Sequence, residues 1–288
     1  MSSFDIRSLA PVVVLTGHYG VGKTNLAINL ALDARRAGRE VAVADLDVVN
    51  PYFRTSDYRN VLAEAGVHVI STAFAGTTLD NPGVTGRVAT ACEWAYEAAG
   101  GEGRGTEAAG CAVAADAASC EGMEASEVAC SNGACAADGV AGEAACAAEP
   151  SDASAFPKRL FIIDAGGDDA GATALGRFAA AIEAGPYDML HVVNRSRNLT
   201  HRPEQAIDVL QDVERASRLR VTALVNNTHM SRQTDRDILS RGVVFARDVA
   251  QMADLPLAFT TVPRFLERDA GELGVVYPVD VYVKKPWE

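Results

Sequence analysis

Apolar residues along this chain follow two alternating patterns. Short, nearly unbroken apolar runs occur at Val12–Gly17, Val41–Asp47, Val67–Thr72, Leu160–Gly166, Met189–Asn194, Val221–Asn227 and Leu257–Pro263. A strand with helices packed on both faces needs apolar side chains on both, so these runs predict strands of a doubly covered sheet. Between them, apolar positions recur at helical spacing over Asn25–Ala37, Gly83–Ala98, Ala172–Ala184, Pro203–Ser217 and Thr234–Ala253. Gly38 and Gly185-Pro186 are stop signals behind two of these helices. Strand alternating with helix predicts an α/β fold, a doubly wound, mostly parallel sheet in three layers. Ligands of such sheets bind beyond the carboxyl ends of the strands. The polar residues that close the runs fall there.

One stretch breaks the pattern. From Ala99 to Pro157 the chain is dominated by Ala, Gly, Glu and Ser, with almost no branched or aromatic residues. Such a composition cannot bury enough apolar surface to offset its ordering entropy, which predicts a disordered insertion. The expected organisation is one domain built from residues 1–98 and 158–288, interrupted by a low-complexity segment over 99–157.

Charge changes the picture only locally. The formal net charge is −12, but residues 99–157 hold ten Asp or Glu against one Arg, or −9, leaving −3 for the rest. The acidic balance argues against nucleic acid or an anionic membrane as partner. No stretch reaches eighteen uncharged apolar residues, and Met1–Ala10 carries Asp5 and Arg7 without a long apolar run. A cytoplasmic location is the expectation. Five of the six cysteines (Cys111, Cys120, Cys130, Cys135, Cys146) lie in the insertion without a C-x-x-C pair, and read as incidental thiols rather than metal ligands. Cys92 reads as a small core residue. The five histidines show no metal-binding spacing.

The chemistry is concentrated after the first run. Gly17-His18-Tyr19-Gly20-Val21-Gly22-Lys23-Thr24 has the G-x-x-x-x-G-K-[ST] pattern, with a strand before it and a helix after it. Its glycines let main-chain N–H groups turn inward on phosphate oxygens, and the helix adds the positive end of its dipole. Lys23 is placed to reach the β- and γ-phosphates and Thr24 to hold Mg²⁺, with Asn25 beside them.

Three more strand ends complete the expected site. Asp45 and Asp47, two residues apart on one face, suit holding Mg²⁺ and orienting an attacking water. Asp164 ends a buried apolar run, the position of an acid that meets Mg²⁺ directly or through water, and Gly166-Gly167 behind it suit a hinge. Asn226 and Asn227 offer donor and acceptor pairs for a purine edge. Pro263 ends the last run, where a rigid turn can close over the base.

On Gly17–Thr24, Asp45-Leu46-Asp47, Asp164–Gly167 and the Asn226 strand end, the chain resembles the MinD/ParA/ArsA/Mrp group of P-loop ATPases, including the CobQ/CobB-type nucleotide-binding domain. The resemblance covers roughly residues 10 to 265 outside the insertion. Val48–Arg54 and Gly166–Asp169 resemble a bacterial branch of ATP-binding proteins that lacks the group's signature lysine. The group's loop reads G-K-G-G-x-G-K-[ST], and its early lysine reaches across a dimer to the partner's nucleotide. Here His18 stands in that place and Tyr19 follows it. An imidazole carries that charge only in part at neutral pH.

The resemblance implies Mg-ATP as ligand and slow hydrolysis. It further implies a switch acting on a protein client that the sequence does not identify, with a homodimer possible. Two other classes stay open. One is an ATP-dependent ligase of the dethiobiotin-synthetase or cobyrinate-amidase type, which calls for a substrate pocket. The other is a metallocentre or Fe–S maturation ATPase, which calls for paired cysteines.

Overall fold

The computed structural model describes residues 2–46, 58–70, 83–98, 156–167, 169–197, 201–269, 271 and 273–283. Asp47, the motif over residues 48–54, Asp168 and the predicted disordered segment, apart from Phe156 and Pro157, lie outside the described residues. The described chain belongs to one compact unit drawn from both flanks of the insertion, Met1–Gly101 and Ala155–Glu288.

Nine strands form a single sheet: β1 (Ser2–Ser3), β2 (Val12–Thr16), β3 (Glu40–Leu46), β4 (His68–Ile70), β5 (Arg159–Ala165), β6 (Tyr187–Val193), β7 (Ala223–Asn226), β8 (Leu257–Pro263) and β9 (Val275–Val279). Their order is β1-β9-β8-β7-β6-β2-β5-β3-β4, and every pairing is parallel. Helices α1 (Lys23–Arg36), α2 (Arg59–Glu64), α3 (Gly83–Glu97), α4 (Asp169–Gly176), α5 (Ala179–Ile182), α6 (Pro203–Ser217) and α7 (Arg236–Ala253) connect them. The predicted three-layer α/β architecture is what the chain adopts.

Alternate residues of the central strands feed two cores, as side chains on opposite faces must. Val13, Leu15, Val43, Leu160 and Ile162 pack with Leu26, Ile28 and Leu30 of α1. Val12, Val14, Phe161 and Ile163 pack on the other face with Val88, Leu175 and Phe245. This explains why β2 and β5 are apolar at almost every position. Buried Cys92 belongs to the second core, and burial pushes its thiol up to about 12, which leaves it inert.

The structure departs from the sequence reading at four places. The predicted helix over Ala172–Ala184 begins at Asp169 and is divided into α4 and α5 after Gly176, which packs against the Ala216 carbonyl too tightly for a larger residue. The short helix α2 carries one buried apolar residue, Leu62, too few to leave a periodic signal. Beyond β8 the chain adds another strand, β9, which Pro278 had disguised, and the two-residue β1 covers its outer edge.

Strand β2 lies between β5 and β6, and the chain winds from it towards β3 on one side and towards β7 on the other. Its carboxyl end is therefore the topological switch point, where two neighbouring loops part and leave a crevice.

Candidate phosphate-binding site

The loop from Gly17 to Gly22 leaves β2 at that end and leads into α1. Gly17, Gly20 and Gly22 all have positive φ, at 133°, 76° and 96°. Gly22 is the residue before α1, and a Cβ there would collide with the Asn227 amide nitrogen as well as being strained. The Gly22 position offers no side chain to cap α1. Its first intrahelical bond runs from the Leu26 N–H to the Gly22 carbonyl at 3.1 Å, so the N–H groups of Lys23, Thr24 and Asn25 lie ahead of the ladder. Such a helix end favours an anion.

Lys23 is the first residue of α1 and only 7% exposed. Its ammonium donates to the carbonyls of Gly17 (3.1 Å) and His18 (3.3 Å), curling back across the loop. Gly167 comes close to the same point: a Cβ on it would lie 2.5 Å from the Tyr19 nitrogen and 2.8 Å from Lys23 Nζ. On its other side Gly166 touches α4, where a Cβ on Gly171 would lie 2.5 Å from the Gly166 Cα. The segment after β5 is thus wedged between the loop and α4.

The carboxylates converge as expected. Asp45 and Asp164 are register partners on β3 and β5, and Leu15 faces Asp164 from β2. By strand alternation both carboxylates share the face covered by α1. Asp164 is 1% exposed and accepts from the Thr24 hydroxyl at 2.8 Å. Asp45 is also buried. Asp47, the other acid expected here, lies outside the described residues. Among the described residues no three His, Cys, Asp or Glu side chains form a metal-holding group. The hydroxyl–carboxylate pair matches Mg²⁺ in a nucleotide site, where one or two protein ligands, water and phosphate share the ion. The loop, with no room for a side chain at Gly22 or on the neighbouring Gly167 and with the Lys23 ammonium folded across it, fits a phosphate chain.

Other predicted contacts take different places. His18 is half-buried and its Nδ1 lies 3.0 Å from the Tyr19 carbonyl; Tyr19 is exposed and Val21 buried. Asn226 is fully buried between the Thr260 hydroxyl (3.3 Å) and the Thr228 N–H (3.1 Å). The Asn227 amide donates to the Val21 carbonyl at 2.6 Å, and its oxygen accepts from Thr261 (2.5 Å) and His229 (3.1 Å). Both carboxamides are thus engaged inside the protein. Asn227 ties the loop to β7 and β8, a non-local task the sequence did not signal. Pro263 is buried and pairs with Val279. The Asn25 side chain turns away from the loop and binds the main chain of residues 280–283.

Two buried histidines flank the site and were not predicted to matter. His191, the register partner of Thr16, lies 3.4 Å from its hydroxyl. Burial, reinforced by the nearby Lys23 ammonium, pushes it down to about 3. Burial, with Arg197 nearby, pushes His229 down to about 4. Both stay neutral when folded but would protonate near pH 6.5 when unfolded. Their contribution is therefore complete above about pH 6.5 and is lost as pH falls towards the folded values. Each is expected to remove about 2 kcal/mol of stability between pH 7 and pH 5. Urea unfolding at the two pH values checks this. The difference should shrink by roughly half in His191→Gln, and an unchanged difference contradicts the reading.

No helix among the described residues is long and apolar enough to cross a membrane. The family model of the CobQ/CobB/MinD/ParA nucleotide binding domain matches residues 12–239. Similar solved structures include the signal recognition particle 54 kDa protein from Aeropyrum pernix K1 in complex with GDP, at 13% identity and a TM-score of 0.48, covering 88% of this chain and 41% of that one. The signal recognition particle receptor FtsY from Elizabethkingia anophelis in complex with GDP matches at 14% identity and 0.47, covering 86% and 56%. The BceF tyrosine kinase domain matches at 17% and 0.35, covering 72% and 64%. This chain thus spans between 41% and 64% of the length of these three. No curated protein matches it in sequence at a significant level.

Proposed function

We propose, since this chain belongs to the CobQ/CobB/MinD/ParA nucleotide-binding domain family, that it binds Mg-ATP, hydrolyses it slowly and acts as a switch on a protein client. The observation that carries this reading is the closed set around the loop: Lys23 at the start of α1, with Thr24 bonded to Asp164 at 2.8 Å beneath it. Lys23, held by two loop carbonyls, would turn to the terminal phosphates. Thr24 and Asp164, with Asp45 and Asp47 nearby in sequence or register, would hold Mg²⁺, which supplies charge neutralisation at the phosphates.

Slow turnover follows from what His18 does. Its ring is tied to the Tyr19 carbonyl within its own loop, and it stands where the wider group has its lysine. A charge supplied there is worth roughly 10³–10⁵ in rate, by analogy with arginine fingers. The switch reading rests on Gly166-Gly167, which touches both the loop and α4. Ordering this segment by a γ-phosphate would move α4, as in other nucleotide switches.

Calorimetry with ATP and with GTP, each with Mg²⁺, tests the reading; binding of neither removes it. Asp164→Asn is expected to weaken nucleotide binding in Mg²⁺ at least tenfold while changing binding in EDTA little, because the lost charge is a metal partner's. Equal loss in both conditions would remove Asp164 from the metal site.

A further inference from the structure

Helix α1 carries a polar stripe where an apolar one would be expected. Asn25, Asn29 and Asp33 recur every fourth residue on a helix otherwise rich in buried Leu, Ile and Ala. Asn25 is 9% exposed and Asn29 2%. Asn is a weak helix former, and burying its amide is unfavourable unless both ends are bonded.

All three side chains serve the last described part of the chain. The Asp33 carboxylate accepts from the Tyr277 hydroxyl at 2.8 Å. Asn29 donates to the Asp280 carbonyl (2.9 Å) and accepts from the Asp280 N–H (2.8 Å), and it also donates to the Asn25 carbonyl (2.7 Å). Asn25 donates to the same Asp280 carbonyl (3.0 Å) and accepts from the N–H groups of Tyr282 (2.9 Å) and Val283 (3.3 Å). Residues 280–283 lie past the end of β9, and side-chain amides of α1 supply their main-chain partners there. The Asp280 carboxylate, meanwhile, is bonded to Arg264 behind β8 at 3.1 and 3.2 Å.

We infer that Asn25 and Asn29 make the segment Asp280–Val283 a working part of the nucleotide site. Docking of this segment on the first two turns of α1 fixes the helix end that receives the phosphates, so docking and nucleotide binding strengthen each other. The inference rests on the proposed phosphate site. Its physical route is one residue with two attachments. The Asn25 main-chain N–H lies in the turn that opens on the loop, while its side chain grips the segment. Asn29 orients Asn25 by bonding its carbonyl, and so is a positioning residue with no reach to the phosphates. Linkage makes the effect reciprocal, with coupling in such systems typically 5- to 150-fold.

Two measurements test this. In the wild-type chain, amide hydrogen exchange of a peptide covering residues 280–283 is expected to slow at least fivefold on saturation with Mg-ATP, because the exchanging amides are those bonded to Asn25 and Asn29. In calorimetry, Asn29→Leu, close in volume, is expected to bind Mg-ATP about tenfold more weakly. Tyr277→Phe, which cuts the stripe's far end at Asp33, is expected to bind within twofold of wild type. Unchanged exchange in nucleotide-saturated wild type overturns the inference, as does wild-type affinity in folded Asn29→Leu. If the wild-type chain binds no nucleotide, the proposed function falls first and this inference with it.

Discussion

Replacing Lys23 with alanine is expected to weaken Mg-ATP binding tenfold to a hundredfold and to abolish hydrolysis. Lys23 is 7% exposed, and its ammonium lies 3.1 and 3.3 Å from two loop carbonyls. There its bonds to phosphate oxygens would be charge-assisted and shielded from water, worth about 1.5–3 kcal/mol. At about 1.4 kcal/mol per decade, that sets the range. Lys23→Arg should not rescue binding, because a guanidinium is wider and the Gly167 backbone already crowds the ammonium. A second readout needs no nucleotide. Lys23 is one of the causes that hold His191 low, so its removal should raise the pH at which His191 protonates in the folded chain. Burial is the larger cause and persists, so the rise is partial. NMR titration of the imidazole follows it. Wild-type affinity in Lys23→Ala would remove the loop from the nucleotide site.

What could be read from the chain, and what could not, divides by distance along it. The loop, Asp45, Asp164 and most of the sheet were legible because each is written in a contiguous stretch. A Gly-rich turn, an apolar run and the acid behind it need no knowledge of the rest of the fold. The destinations of buried amides were not legible. Asn25 looked like a phosphate neighbour, and its side chain instead holds residues 280–283, some 255 positions away. Asn226 and Asn227 looked like base readers, but in the structure they join β7, β8 and the loop. A carboxamide bonds equally well to a base edge, a carbonyl or a hydroxyl. Its neighbours in sequence therefore do not say which. Strand β9 was missed for a related reason. Pro278 argues against a central strand, and the shielding β1 at its edge is only two residues long.

Arg39→Met is expected to cost about 3–5 kcal/mol of folding stability while leaving nucleotide affinity within twofold of wild type. Arg39 is fully buried at the amino-terminal ends of the strands, the pole opposite the phosphate loop. Its guanidinium donates to the carbonyls of Arg159 (2.8 Å), Leu9 (3.1 Å), Ile6 (3.4 Å) and Ala10 (3.4 Å). These carbonyls belong to the lead-in of β2 and to the first residue of β5, where the chain returns from the insertion. One side chain therefore joins two strands that are neighbours in the sheet and about 150 residues apart in sequence. Burial pushes Arg39 down to about 10, against the pull of Asp188, so it stays charged at neutral pH. Its buried Nε has no hydrogen-bond partner, a cost that offsets part of the gain. Methionine would remove that cost and the desolvated charge, yet it cannot donate. The buried Leu9 carbonyl would then lose its donor at about 1–3 kcal/mol, the three part-buried carbonyls would lose theirs at less each, and the sum outweighs the relief. Arg39→Lys should recover only part of the stability, since a single ammonium cannot span all four acceptors. Urea midpoints at unchanged slope measure the loss. A methionine variant as stable as wild type would mean that the strands hold their register without this crosslink.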